Sequence, residues 1–97
     1  MALVKEYLDL TKKYKADFGE KTILLMQVGS FLEVYALIKP DGTYTGSNIE
    51  EFAKINEMVI AEKNSCVDSC KVAMAGMGVA YADKYIQKLQ EHDYTIV

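Results

Sequence analysis

The spacing of apolar side chains predicts a helix at the start of the chain. Leu3, Tyr7, Leu10 and Tyr14 recur at intervals of three and four residues, which places them on one face of an α-helix. Most positions between them are charged, so the opposite face would meet solvent. Gly19 lies where such a helix and its trailing loop would end.

The apolar stretch that follows predicts two strands joined by a turn. Residues 22–28 are almost all apolar, a pattern typical of a central strand covered on both faces. Residues 29–30 are Gly-Ser and predict a turn, and Phe31–Ile38 has the composition of a second strand. Residues 39–43, Lys-Pro-Asp-Gly-Thr, predict a tight turn because proline fixes φ and glycine accepts a positive φ. A short returning strand at 43–45 would complete an antiparallel meander.

Beyond the meander the pattern predicts a helix and then a polar loop. Residues 47–50, Ser-Asn-Ile-Glu, match a capping box, in which the serine and glutamate side chains satisfy exposed backbone amides at the helix start. The helix is expected to run to about Lys63. Its buried stripe would consist of Phe52, Ile55, Val59 and Ile60. Residues 64–69 are polar and predict a turn.

The last part of the chain is predicted to form a strand, a helix and a final strand. Residues 71–74 have the composition of a strand, and the small residues at 75–80 predict a close-packed bend. Asp83 is placed to cap a helix that ends near residues 91–93. Residues 94–97 resume an apolar strand, and its connection to the strand at 71–74 should be a right-handed crossover if the two are parallel.

Together these elements predict a mixed α/β or α+β fold, with about three helices packed on a small mixed β-sheet. The 97 residues are enough for a single domain with one modest core. A chain that stops inside an apolar strand is typical of a segment of a longer protein. We therefore expect residues 1–97 to be one domain of such a protein.

Composition narrows the class of protein. Hydrophobic residues make up 51% of the chain and charged residues 26%, close to the average of folded globular proteins. No apolar run approaches the roughly 20 residues that cross a bilayer, and the first residues lack the pattern of a signal peptide. We therefore expect a soluble, intracellular protein with no membrane partner. The formal net charge of -3 argues against unaided nucleic-acid binding, because phosphate neutralisation supplies most non-specific affinity.

The cysteines and the histidine indicate no catalytic or metal chemistry. Cys66 and Cys70 lie four residues apart without a histidine nearby, and this spacing does not predict a metal site. Ordinary reduced thiols are the simplest interpretation, and a disulfide or a redox role is the alternative. His92 is the only histidine, and nothing in the sequence pairs it with either cysteine. We expect no catalytic residue, metal or bound cofactor in this segment.

Phe31 and Glu33 are the candidate binding residues. They lie two positions apart in a predicted strand, so their side chains should point to the same face. An aromatic ring and a carboxylate beside a glycine turn suit recognition of a flat, polar ligand. The ordinary alternative is that Phe31 belongs to the core and that Glu33 is a solvated strand residue.

Five segments match, in order, the motifs of one known protein family. Residues 29–35 are Gly-Ser-Phe-Leu-Glu-Val-Tyr, beside that family's Gly-Asp-Phe-Tyr-Glu-Leu-Phe, and residues 73–77 are Ala-Met-Ala-Gly-Met, beside Pro-Met-Ala-Gly-Ile. Residues 7–10 resemble the family's opening helix, and residues 83–89 resemble the helix after its Pro-Met-Ala-Gly-Ile segment. Residues 94–97 fall where a strand usually leads into a Glu-Gln pair. By these segments the chain resembles the N-terminal mismatch-recognition domain, domain I, of MutS-family DNA mismatch repair proteins.

The chain also departs from the family pattern. Ser30 replaces the usual aspartate, Leu32 replaces the usual tyrosine, and residues 78–80, Gly-Val-Ala, replace the usual Pro-Tyr-His. Residues 39–47 lengthen the region after the second strand. Because the two recognition positions are retained while their surroundings differ, the resemblance implies a divergent branch, with either an altered lesion preference or a loss of mismatch reading.

The resemblance implies a function for the candidate pair. Phe31 would enter the minor groove of double-stranded DNA, wedge between bases and stack on a mispaired one, while Glu33 would hydrogen-bond to that base. The resemblance also implies partners outside this segment, namely further domains of the same chain and a dimeric partner subunit. A DNA-dependent ATPase that uses ATP and Mg²⁺ would lie further along the full-length protein. Within that protein, residues 1–97 would contact the mispaired base and catalyse nothing.

Two other functions remain open from the sequence. Gly76 and Gly78 follow a predicted strand and precede a helix, which is the setting of a nucleotide-phosphate loop. Against that reading, Tyr81 occupies the third glycine position and no Gly-Lys-Ser/Thr motif occurs. The second alternative is a structural or protein-interaction α/β domain.

Overall fold

The computed structural model describes residues 2–97, and these residues form a mixed α+β fold. Their Cα radius of gyration is 12.5 Å, close to the roughly 13 Å expected of a compact chain of 100 residues. Within the described range the elements, in chain order, are α1 (Ala2–Phe18), β1 (Thr22–Ile23), β2 (Met26–Val28), β3 (Phe31–Ile38), β4 (Tyr44–Thr45), α2 (Ile49–Ile55), β5 (Ala61–Val67), β6 (Cys70–Gly78), a 3-10 helix (Val79–Tyr81), α3 (Ala82–Glu91) and β7 (Thr95–Ile96).

Two sheets organise these elements. The larger sheet is antiparallel, with the strand order β2-β3-β6-β5, and β4 pairs with the far end of β3. All eight residues of β3 are paired with β6, so these two strands form the centre of the fold. The smaller sheet consists of β1 and β7, which run parallel.

The N-terminal helix forms where the spacing predicts, but Leu3, Leu10 and Tyr14 of the expected stripe are only half-buried. Val4, Tyr7 and Thr11 are buried along one face of α1, while the charged residues between them are exposed. Gly19 follows the helix with a φ of +105°, and its N–H donates to the carbonyl of Lys15 at 2.8 Å. Glycine adopts this left-handed conformation at no steric cost, so the helix ends there.

The core lies between the helices and the larger sheet. Its largest fully buried side chains are Tyr7, Phe52, Ile23, Ile49, Leu89, Val4, Val34 and Val72. Each such side chain stabilises the fold by about 1.5–3 kcal/mol relative to an exposed position. The three α-helices and the two sheets confirm the predicted α+β class with about three helices.

The turn at residues 39–43 is also confirmed. The N–H of Lys39 donates to the carbonyl of Thr43, and the N–H of Gly42 donates to the carbonyl of Lys39, both at 2.8 Å. Gly42 has a φ of +87°, which explains glycine at this position. The Asp41 carboxylate accepts hydrogen bonds from the Thr43 hydroxyl and N–H, and these bonds lower the pKa of that carboxyl.

The single central strand expected at 22–28 is wrong. The segment divides into β1 and β2, which belong to different sheets, and β2 is an edge strand with Gln27 and Val28 exposed. The carbonyl oxygen of Leu24 accepts a hydrogen bond from the buried Tyr7 hydroxyl at 2.8 Å. The N–H of Leu25 donates a hydrogen bond to the carbonyl oxygen of Val97 at 3.0 Å. These bonds hold the backbone where it leaves one sheet for the other.

The capping box and the long helix at 47–63 are wrong as well. The Ser47 hydroxyl donates to the carbonyl of Tyr35, and the residue that caps α2 is Asn48, whose side chain makes no capping bond. The helix ends at Ile55, and Val59 is 88% exposed rather than buried. Glu57 has a φ of +56°, which an α-helix does not allow.

The segment expected to be a polar turn is mostly strand. Ala61–Val67 forms β5, with a bulge between Lys63 and Cys66, and the turn is limited to Asp68 and Ser69. Because β5 is an edge strand, its solvent-facing side chains are polar, and this composition resembles that of a loop.

The expected bend at 75–80 is wrong, because β6 continues through Gly78. The 3-10 helix then leads into α3, which is capped by Tyr81 without a side-chain bond, so Asp83 lies in the first turn instead of capping it. β7 pairs with β1 and not with β6, so no crossover joins β6 to β7 within one sheet.

Among residues 2–97, none of the helices is long and apolar enough to span a bilayer.

Candidate functional site

Phe31 lies at the tip of a tight hairpin. β2 and β3 are joined by the two residues Gly29 and Ser30, and Val28 is paired with Phe31 at the closing position. Gly29 has a φ of +59°, as the favoured two-residue hairpin turns require. The Phe31 side chain is 56% exposed, so it does not belong to the core.

Glu33 follows Phe31 on the same face of β3. Both side chains line one hollow of about 360 Å³ on the surface of the sheet. Glu33 is half-buried, with Met26 of β2 paired to it on one side and Gly76 of β6 on the other. The expected arrangement, with ring and carboxylate on one side of the strand, is present.

Two glycines keep the sheet face open beside the pair. Phe31 is paired with Gly78 and Glu33 with Gly76, so neither neighbour in β6 covers the ring or the carboxylate. A Cβ on Gly76 would lie 2.5 Å from the carbonyl oxygen of Leu32 and 3.3 Å from Glu33 Cγ. A Cβ on Gly78 would meet Tyr81 at an ordinary 3.5 Å. Of these two positions, only residue 76 has to be glycine, because a Cβ there would clash with the neighbouring strand.

Tyr35 holds the carboxylate of Glu33 in place. The Tyr35 hydroxyl donates a hydrogen bond to Glu33 Oε1 from a side chain that is 3% exposed. Its ring packs edge-to-face on Tyr7, with ring centroids 5.3 Å apart. Burial, and then the neighbouring Glu33 carboxylate, raise the pKa of Tyr35, so the phenol keeps its proton and remains a donor.

Further apolar side chains surround the hairpin tip. Val79 is exposed just beyond β6, and its N–H donates to the carbonyl of Ser30 at 2.8 Å. Tyr81 is 69% exposed and lies beside Gly78. Exposed Val28 lies across from Phe31. The Phe31 ring thus lies near several other exposed apolar side chains.

The two cysteines and the histidine do not line the hollow beside Phe31 and Glu33. Cys66 is exposed and Cys70 half-buried, and both are free thiols on the β5–β6 hairpin. His92 follows α3, with Nδ1 at 2.9 Å from the carbonyl oxygen of Lys88. In the part of the chain that the structure describes, no group of three or more His, Cys, Asp or Glu side chains is placed to hold a metal ion.

The glycines proposed for a phosphate loop are strand residues. Gly76 and Gly78 lie inside β6 and pair with β3, and a 3-10 helix separates them from α3. Neither has the positive φ found at four other glycines of the chain. A phosphate loop would need free backbone N–H groups at a helix start, and this stretch does not form such a loop.

Sequence reasoning missed Tyr35 and the role of Gly76. The alternation of a strand extends from Phe31 and Glu33 to Tyr35, so the pattern already placed all three on one face. The sequence predicts a bend at Gly76, because two alanines and two glycines within residues 75–80, just before a helix, resemble a turn. Its partner in β3 is a long-range pairing that local sequence does not reveal.

Comparison with known families and proteins adds no further constraint. No family model matches the chain, and no curated protein matches it.

Proposed function

We propose that this chain is a mismatch-recognition module for double-stranded DNA, in which Phe31 acts as the wedge and Glu33 as the hydrogen-bond acceptor. The observation that carries the proposal is the exposed ring at a hairpin tip with a held carboxylate beside it on the same face. The sequence resemblance to MutS domain I leads to the same two residues.

The exposed ring suits a binding role on energetic grounds. An exposed phenylalanine lacks the roughly 1.5–3 kcal/mol of stabilisation that burial of its side chain would contribute. Stacking on DNA bases can supply apolar contact instead. Stacking on one base contributes about 1–3 kcal/mol, while opening a base step costs a few kcal/mol. Because these energies nearly cancel, insertion is favourable where the step is already weakened by a mispair.

Glu33 adds selectivity to the wedge. A carboxylate only accepts hydrogen bonds, so it favours a base edge that offers an N–H donor. Where no donor faces it, the desolvated acid disfavours insertion. The Tyr35 hydroxyl already donates a hydrogen bond to one of the two Glu33 oxygens, and this bond fixes the orientation of the carboxylate.

Under this proposal, the positive charge that attracts DNA phosphates comes from other parts of the full-length protein. With a formal net charge of -3, the chain offers little attraction to phosphates. Under this proposal, further domains and a partner subunit grip the DNA backbone, and ATP hydrolysis with Mg²⁺ takes place elsewhere in the full-length protein.

A titration with matched variants tests the proposal. The ¹⁵N-labelled chain is titrated by NMR at low ionic strength with a duplex containing a G·T mispair and with the corresponding paired duplex. We expect tighter binding to the mispair and loss of that preference in Phe31→Ala. Phe18→Ala is the control, because Phe18 is 58% exposed at the end of α1 and should leave the preference unchanged. Equal preference in Phe31→Ala and the parent would refute the wedge.

A protein-interaction domain is the second candidate, favoured by the exposed Val79 and Tyr81 next to the hairpin tip. It predicts binding without preference for mispaired DNA. In the same titration, equal and unspecific shifts with both duplexes would support this candidate over the first.

A further inference from the structure

The hollow beside Phe31 extends away from the hairpin tip. Phe31 and Glu33 form its β3 side, Gly76 and Met74 come from β6, and Ala61 of β5 continues the same face. Two residues of strand span about 7 Å, so the hollow begins at the ring and runs back along the sheet.

Small side chains create this space. Gly76 has none, and Ala61 carries only a methyl group, whereas most neighbouring sheet positions carry larger side chains. Val59 stands at the rim on the loop before β5. The volume of about 360 Å³ is within the range of about 300–1,000 Å³ that small-molecule sites occupy.

The lining has the chemistry of a site for a nucleobase. An aromatic ring, a thioether and aliphatic groups offer flat apolar contact, and Glu33 is the one charged side chain among the lining residues. Enzymes that take a base out of the stack hold it in this way, between apolar side chains and with hydrogen bonds to its Watson–Crick edge.

We propose that this hollow receives a single unpaired base that has swung out of the duplex, with its N–H edge facing Glu33. The proposal rests on the proposed function, because it presupposes that Phe31 meets the DNA. A base stacked on the ring meets the hollow only by its edge at Glu33, whereas a base that has left the stack can enter the hollow itself. An unpaired base leaves the stack at the lowest cost.

Guanine fits the acceptor best. Its Watson–Crick edge carries an N1–H and an adjacent amino group, two donors that a carboxylate can accept together. The hydrogen bond from Tyr35 leaves lone pairs on both Glu33 oxygens for this contact. A one-nucleotide guanine bulge is therefore the substrate of choice.

Filling the hollow tests the proposal. The parent chain and Ala61→Leu are titrated by NMR with three duplexes: one with a guanine bulge, one with an abasic nucleotide in the bulge, and one with a G·T mispair. Ala61 is exposed on an edge strand, so a leucine there fills the hollow without entering the core. Ala16→Leu, at an exposed position of α1, is the matched control.

We expect the parent to prefer the guanine bulge over the abasic bulge. Ala61→Leu should weaken guanine-bulge binding about tenfold, which corresponds to about 1.4 kcal/mol, and leave G·T binding within about twofold. Ala16→Leu should change neither. Val59→Ala removes the exposed rim without affecting the core, and it should weaken guanine-bulge binding about threefold, or about 0.6 kcal/mol.

Two results would overturn the proposal. One is equal affinity of the parent for the guanine and abasic bulges, and the other is unchanged guanine-bulge affinity in both Ala61→Leu and Val59→Ala. If Phe31→Ala still abolishes the G·T preference, the wedge survives and only the hollow's role fails. If Phe31→Ala changes nothing, the proposed function itself fails.

Discussion

The Tyr35 hydroxyl donates a hydrogen bond to the Glu33 carboxylate, two residues earlier on the same face of β3. Tyr35 is buried and packed on Tyr7, whose own hydroxyl is bonded to the carbonyl of Leu24. A surface carboxylate is thus fixed from within the core. A group held in this way loses little conformational freedom on binding, which favours a selective contact.

Removal of this hydroxyl should affect selectivity more than stability. Tyr35→Phe keeps the ring packing and loses one hydrogen bond to a half-exposed acid, so unfolding in urea should become easier by about 1 kcal/mol or less. The G·T preference should fall about threefold, since Glu33 is no longer held. A double-mutant cycle measures this coupling. In a Glu33→Ala background, Tyr35→Phe should leave the preference unchanged, and an equal loss there would show that Tyr35 acts only on structure.

The buried tyrosines predict an alkaline loss of stability. Burial raises the pKa of Tyr7 and of Tyr35 above the ordinary value of 10.0, so the unfolded state loses these protons first. The stabilisation is complete below about pH 10 and decreases above it, by up to about 1.4 kcal/mol per pH unit for each tyrosine. Urea denaturation from pH 8 to 12 measures the slope. It should be shallower in Tyr35→Phe, and a parent slope of zero would contradict the burial of these phenols.

Gly76 and Gly78 should respond differently to the same substitution. In Gly76→Ala the new Cβ would lie 2.5 Å from the Leu32 carbonyl oxygen, so we expect a loss of about 1–3 kcal/mol in the free energy of unfolding. Gly78→Ala meets only an ordinary contact and should change stability by about 0.5 kcal/mol or less. Thermal denaturation of the two variants provides the comparison. Equal stability would mean that β6 does not approach β3 as closely as described.

The isolated chain should bind duplex DNA weakly. Lys15 Nζ donates to Asn48 Oδ1 at 2.9 Å and Lys21 Nζ to the carbonyl of His92 at 2.6 Å, so these two cations already have partners within the chain. With a net charge of -3, few phosphate contacts are available. Affinity measured over a range of salt concentrations should be low throughout. Tight binding that persists at high salt would contradict this expectation.

The elements set by local chemistry were predictable from the sequence. The spacing from Leu3 to Tyr14 specifies α1, and Gly42 with its neighbours specifies the turn after β3. The alternation from Phe31 to Glu33 placed the candidate pair on one face. Each of these features depends on residues that are near one another in the chain.

Features that depend on distant partners were not predictable. Ala61–Val67 resembles a loop because an edge strand needs few apolar side chains, and only its pairing with β6 makes it a strand. The short strands β1 and β2 look like one element until their partners, β7 and β3, separate them. Gly76 gains its role only from the close approach of Glu33 across the sheet. Tertiary context overrides local preference at all of these positions.

The most direct test of the wedge is an NMR measurement of contacts between the Phe31 ring protons and the DNA. The chain is mixed at low ionic strength with a duplex that contains one G·T mispair. We expect intermolecular NOEs from the Phe31 ring to base protons at the mispaired step, and none from the equally exposed Phe18. Contacts from Phe18 alone, or a bound complex in which the Phe31 ring shows no NOE to any base, would contradict the account.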